Sequence, residues 1–139
     1  MTLATVSAYF PDHTTENFGE LDEARALSKF DEFPWGDLSR QARDLELKEV
    51  DCVDADLTFV IDKCHFIARV NDGAMAFDVE ACVRQAQKLF GLFDRLKFFT
   101  FKGLPTNETR KALRVFLAQS EDDQQAYFQS LTDQRRKMR

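Results

Sequence analysis

The hydrophobic period of this chain changes twice, and that change limits its fold more than any other feature. Before Leu57 apolar residues recur at helical spacing. Leu21, Ala24, Leu27 and Phe30 follow a period near 3.6, with acids in the first turn. From Leu57 the period drops to two. Leu57, Phe59 and Ile61 alternate with Thr58, Val60 and Asp62. Such alternation belongs to a strand with one buried face. Helical spacing then returns at Val79. A chain that switches period in this way is α+β.

The spacing predicts a first helix from Gly19 to Phe33, stopped by Pro34, because proline disfavours helix at the residue before it. A second helix is expected from Trp35 to about Leu47, with Leu38, Ala42 and Leu45 on one face. Glu49 to Asp56 reads as an acidic connector. The strand at Leu57, a second at Phe66 to Val70, and a third at Ala74 to Val79 read as an antiparallel meander. Asn71-Asp72-Gly73 supplies a turn that tolerates positive φ. Val79, Cys82, Val83, Ala86, Leu89, Phe90 and Phe93 fit a helix over residues 80–94 that covers the sheet. Leu96 to Lys102 reads as a fourth strand, apolar on both faces and so covered on both sides. A helix capped by Thr106 or Asn107 and ending near Gln119 follows. A last helix starts at Ser120-Glu121-Asp122-Asp123 and closes on Arg135, Arg136, Lys137 and Arg139, cations that complement its dipole.

The expected order is therefore α-α-β-β-β-α-β-α-α, around an antiparallel sheet of three to four strands. Residues 1–18 are expected as an irregular arm. The 139 residues suit one domain, and 14 phenylalanines imply a large aromatic core. Phe59, Ile61, Phe66, Val70, Phe90, Phe93, Phe99 and Phe116 are its expected members.

Charge is unevenly spread. Residues 1–56 carry 14 Asp/Glu against 5 Lys/Arg, while residues 57–139 carry 10 against 14. An acid-rich N-terminal part argues against nucleic acid as a partner, which requires a cationic footprint, and is compatible with a basic protein partner or with a plain solvated surface. Phe98, Phe99 and Phe101 beside Lys97 and Lys102 have the residue types of a base-stacking sheet, but a core strand accounts for them more simply.

Catalytic signatures are missing. No phosphate-cradling, dinucleotide, nucleophile-elbow or His-Glu-x-x-His pattern occurs. Cys52, Cys64 and Cys82 form no paired spacing for zinc or a disulfide framework. His65 follows Cys64 directly, and adjacent strand residues point to opposite faces, so they make no nucleophile–base pair. The carboxylates of the acidic connector lack the glycine turn and terminal glutamate of a calcium loop. No cofactor or metal is expected. The N-terminus shows no basic lead and apolar run of a signal peptide, no apolar stretch is long enough for a membrane span, and a cytoplasmic location is expected.

Phe30-Asp31-Glu32-Phe33-Pro34-Trp35, the short helix carrying Ala42 and Leu45, and the meander after it resemble a pattern in small immunity proteins of bacterial polymorphic-toxin systems. Leu89-Phe90-Gly91-Leu92-Phe93 and Phe98-Phe99 are similar to their sheet-covering helix and aromatic strand. The resemblance spans about residues 21–101. It implies a non-catalytic protein that binds a cognate toxin and blocks it. No functional residue carries over, because such families vary at their binding faces. Small acidic chaperones of type III secretion offer a second analogy, placed behind because they carry a further strand after the sheet-covering helix. A small hydrolase using carboxylates between Asp51 and Asp56 is the alternative from another class. For a partner-binding face the charge layout nominates Glu49, Asp51, Asp54 and Asp56, with Trp35 as an aromatic anchor. Sequence reasoning leaves the oligomeric state and the strand order open.

Overall fold

A computed structural model of the chain describes residues 2–71, 76–84 and 95–137. Its element order is β1 (Ala4–Tyr9), β2 (Thr15–Leu21), α1 (Glu23–Glu32), α2 (Trp35–Leu47), β3 (Asp56–Ile61), β4 (Cys64–Asn71), β5 (Ala76–Arg84), β6 (Leu96–Pro105), α3 (Thr106–Ala118) and α4 (Glu121–Lys137). The fold is α+β. The six strands form one antiparallel sheet in the order β2-β1-β3-β4-β5-β6.

This sheet is larger than the three to four strands expected. The N-terminal 18 residues are not an irregular arm, because β1 and most of β2 lie within them. Ala4, Val6 and Ala8 point into the core while Thr5, Ser7 and Tyr9 point away, so the alternation is real but carried by small residues. The β1–β2 turn follows from Pro11 and Asp12. His13 N donates to Phe10 O at 3.0 Å, Phe10 N donates to Thr14 O at 2.8 Å, and His13 takes the left-handed position with φ 68°. Gly19 to Leu21 belong to β2, so α1 begins at Glu23, behind an Asp22 carboxylate that accepts from Arg25 N at 2.9 Å.

A second correction falls at β5. Residues 80–84, expected in a helix, continue the strand to Arg84. Ala81, Cys82 and Val83 are all buried, which breaks alternation and imitates helical spacing. Cys82 is covered although it points away from the helices. It lies between His65 and Phe98 in the strand register, and those two rings approach to 6.0 Å. The remainder of the expected helix, with Phe90 and Phe93, lies outside the described residues. A third correction concerns β6, which among the described residues is covered by helices on one side only. Phe99 and Phe101 are buried, while Phe98 is 61% exposed.

The core lies between one sheet face and the helices. Leu57, Phe59, Ile61, Phe66, Val70, Phe77 and Val79 meet Ala26 and Phe30 of α1, Leu113 and Phe116 of α3, and Phe128 of α4. Phe128 stacks on Phe99 and Phe101 at centroid distances of 5.5 and 6.2 Å. Arg110 of α3 grips Asp31 of α1 through two nitrogens, at 2.9 and 3.0 Å. α4 also covers the β6 edge. Lys97 Nζ donates to Gln129 Oε1 at 2.9 Å, and Arg135 donates to the Lys102 carbonyl. The opposite edge, β2, has no strand beyond it among the described residues.

Candidate functional site

Trp35 sits at the start of α2 and turns inward. Its ring packs between Phe33 at 4.7 Å, Phe77 at 4.9 Å and Phe30 at 5.7 Å, and its Nε1 donates to Phe30 O at 2.9 Å. Both the apolar body and the polar edge of the indole have partners inside the fold, and 8% of the residue remains exposed.

The four nominated acids separate into two environments. Glu49, Asp51 and Asp54 are exposed. Asp56 is buried, belongs to β3, and lies 3.5 Å from Arg69 across the β3–β4 pair. Burial pushes its carboxyl above the ordinary range, and the Arg69 guanidinium opposes that shift only in part. Among the described residues no three His, Cys, Asp or Glu side chains converge as a metal-ligand set.

The end of α2 organises the exposed acids. Val50 N donates to Leu45 O at 2.9 Å, and Glu49 N donates to Glu46 O at 3.0 Å, a Schellman closure. The left-handed residue in that closure is Glu49, with φ 58°, where glycine is usual. The closure leaves Leu47 79% exposed and Val50 49% exposed. Two apolar side chains therefore stand in water among Glu46, Glu49 and Asp51. Sequence reasoning missed them as surface residues. The signal was present: Leu47 lies two positions beyond Leu45, about 200° around the helix from the buried stripe.

The connector is held against the β1–β2 turn. Val53 N donates to Pro11 O at 3.1 Å, and Cys52 Sγ lies 3.5 Å from Ala42 O. Tyr9 Oη, His13 Nδ1 and Nε2, and Asp51 Oδ2 form a chain with links of 3.1 and 3.2 Å. This row borders an open cleft of about 480 Å³ that Asp54, Asp56 and Arg69 also line. Sequence reasoning did not bring His13 and Asp51 together, because 38 residues and a two-helix excursion separate them. On the sheet face away from the helices His65 pairs with Glu80 at 2.8 Å, while Cys64 points into the core.

No helix among the described residues is long and apolar enough to cross a membrane. Comparison with protein-family profiles, curated proteins and solved structures finds no match to this chain.

Proposed function

We propose that this chain is a non-catalytic protein-binding protein, an immunity protein that occupies a cationic toxin domain through its acid-rich N-terminal part. The observation that carries the reading is the corner after α2. Leu47 and Val50 are exposed apolar side chains among Glu46, Glu49 and Asp51. Protein interfaces draw affinity from a few apolar anchors and draw association rate and selectivity from the charges around them. The corner has both parts. Its backbone is also fixed by the Schellman closure, so little order would have to be gained on binding. Glu49 occupies a conformation that favours glycine, at a cost to the fold, and residues retained against such a cost concentrate at binding sites. With Trp35 in the core, the anchor role passes to Leu47 and Val50.

The test is co-purification with the product of the neighbouring reading frame, followed by stopped-flow association. Charge reversal at Glu49, Asp51 and Asp54 is expected to slow association and flatten its salt dependence. Leu47→Ala with Val50→Ala is expected to speed dissociation. Asp56 is left out of the reversal set because a buried cation at that position would damage the fold. A complex whose rates ignore all five changes would defeat the proposal.

A further inference from the structure

The β2 edge carries an inference separate from the α2 corner. β2 is the outermost strand beside β1, and an edge strand presents N–H and C=O groups to solvent, although here Gly19 N already donates to Asn17 Oδ1 at 2.8 Å. Glu16, Asn17, Gly19 and Glu20 along it are exposed. Against this strand lies an open cleft of about 280 Å³ in which Phe10, Phe18, Phe33 and Pro34 converge with Glu16 and Glu32. Phe10 and Phe33 lie 5.9 Å apart by centroid, and Lys29 Nζ is held 4.1 Å over the Phe18 ring.

An open edge beside an apolar cleft supplies both requirements of strand addition. The edge offers main-chain hydrogen bonds, and the cleft offers a place for one side chain of an extended segment. The surrounding charge chooses the occupant. From Phe10 to Pro34 the sequence has seven Asp/Glu and two Lys/Arg. Only Asp31 among those acids has a cation from α3, and Lys29 is engaged over Phe18. A second copy of this chain, added edge to edge, would set one acid-rich edge against another, with Glu16 on the helix side and Glu20 on the opposite face of each, and like charges across strands destabilise pairing. An extended segment alternating Lys or Arg with apolar residues satisfies the edge, the cleft and the acids together. The ladder shifts register after Val6, leaving Phe18 bulged, and such a bulge bends the strand, so the segment is a short one.

We propose that β2 accepts a short, extended, basic segment of a partner protein as a seventh strand, with one apolar side chain seated among Phe10, Phe18 and Phe33. The inference rests on the reading of this chain as a protein-binding protein, but assigns a different surface with a test of its own. The probe is a short synthetic peptide alternating Lys and Val with one central Leu, labelled for fluorescence anisotropy. Two control peptides replace Lys by Glu or methylate alternate backbone nitrogens. The basic peptide is expected to bind, and the acidic peptide is expected not to. Backbone methylation should weaken binding about tenfold or more, as the loss of two ladder hydrogen bonds does. Glu16→Lys with Glu20→Lys should weaken it comparably while leaving the melting temperature unchanged, since both side chains are exposed. Leu47→Ala with Val50→Ala should leave peptide binding intact, separating this inference from the α2 corner. No binding, equal binding of the methylated peptide, or indifference to the two Glu changes would overturn it. Concentration-dependent dimerisation abolished by Glu16→Pro, with no peptide binding, would hand the edge to a second copy and overturn it also.

Discussion

Cys64 and Cys82 lie on opposite faces of the sheet, yet both are shielded from water, at 1% and 0% exposure. Burial pushes both thiols above their ordinary pKa, so the thiolate that reacts with alkylating agents is scarce at neutral pH. Cys52 is only half-buried. Iodoacetamide at neutral pH should therefore modify Cys52 first in the native protein. Cys64 and Cys82 should follow only as the chain opens, and peptide mapping by mass spectrometry reads the order. Asp56 gives a prediction with a defined sign. Its folded pKa is raised, so between the unfolded value near 3.8 and that raised value the native state holds more protons than the unfolded state. Stability then falls as pH rises through that window. Asp56→Asn removes the buried charge, while the partly exposed Arg69 keeps its access to water. The variant should be more stable than the parent at pH 7. The gain should shrink as pH falls toward 4, measured as urea midpoints at each pH.

Glu49 marks how an element ends. A non-glycine residue in the left-handed region costs about 1–2 kcal/mol, and glycine returns about 0.5–1 kcal/mol of that as unfolded-state entropy. Glu49→Gly should therefore raise stability by up to about 1 kcal/mol, read from chemical denaturation. Under the proposed function the same change should slow association, because it removes one acid from the corner. The helix pair α3–α4 has a comparable joint. Gln124 is 1% exposed, and its Nε2 donates at 2.7 Å to Phe116 O, closing the end of α3 from the next helix. Gln124→Leu would leave that carbonyl with the two donors Gln119 supplies, its Nε2 at 2.8 Å and its backbone N at 3.2 Å, and so should cost only about 0.5–1.5 kcal/mol. Legibility in the sequence followed side-chain size at this scale. β3 was readable because Leu57, Phe59 and Ile61 are large and strictly alternate with polar or exposed positions. β1 has the same alternation, but alanine fills two of its three inward positions and gives little hydrophobic contrast. β2 has almost no buried face, so periodicity is silent there, and only Pro11-Asp12 announces the hairpin. The extension of β5 to Arg84 was hidden because its burial depends on neighbouring strands, which a single-chain period does not encode. The acids of the candidate site were readable as composition. Their partition into exposed Asp51 and buried Asp56 was not, because it depends on where β3 begins.

The strand order turns a difference along the sequence into a difference across the molecule. β2 and β1, from the acid-rich part, lie at one side of the sheet, and β6 lies at the other. Residues 95–137, which supply β6, α3 and α4, carry nine Lys/Arg against five Asp/Glu. The two charge halves nevertheless share one hydrophobic core. Trp35 of α2 packs on Phe77 of β5, Phe30 of α1 on the same ring, and Asp31 of α1 grips Arg110 of α3. Phe66 of β4 meets Phe116 of α3, and Phe128 of α4 stacks on β6. A sheet whose N-terminal hairpin joins at β3, and whose helices from both ends of the chain share one core face, has no line along which half can melt alone. Denaturation should therefore be a single transition. Trp35 fluorescence reports the N-terminal helices, and far-UV circular dichroism reports all elements. The two signals should give coincident urea midpoints and equal slopes. Phe128→Ala, at the far end of the chain from Trp35, should cost about 3–5 kcal/mol and shift both curves together. If the fluorescence midpoint stays fixed while the dichroism curve splits, α4 and β6 form a separate unit and the single-core account fails.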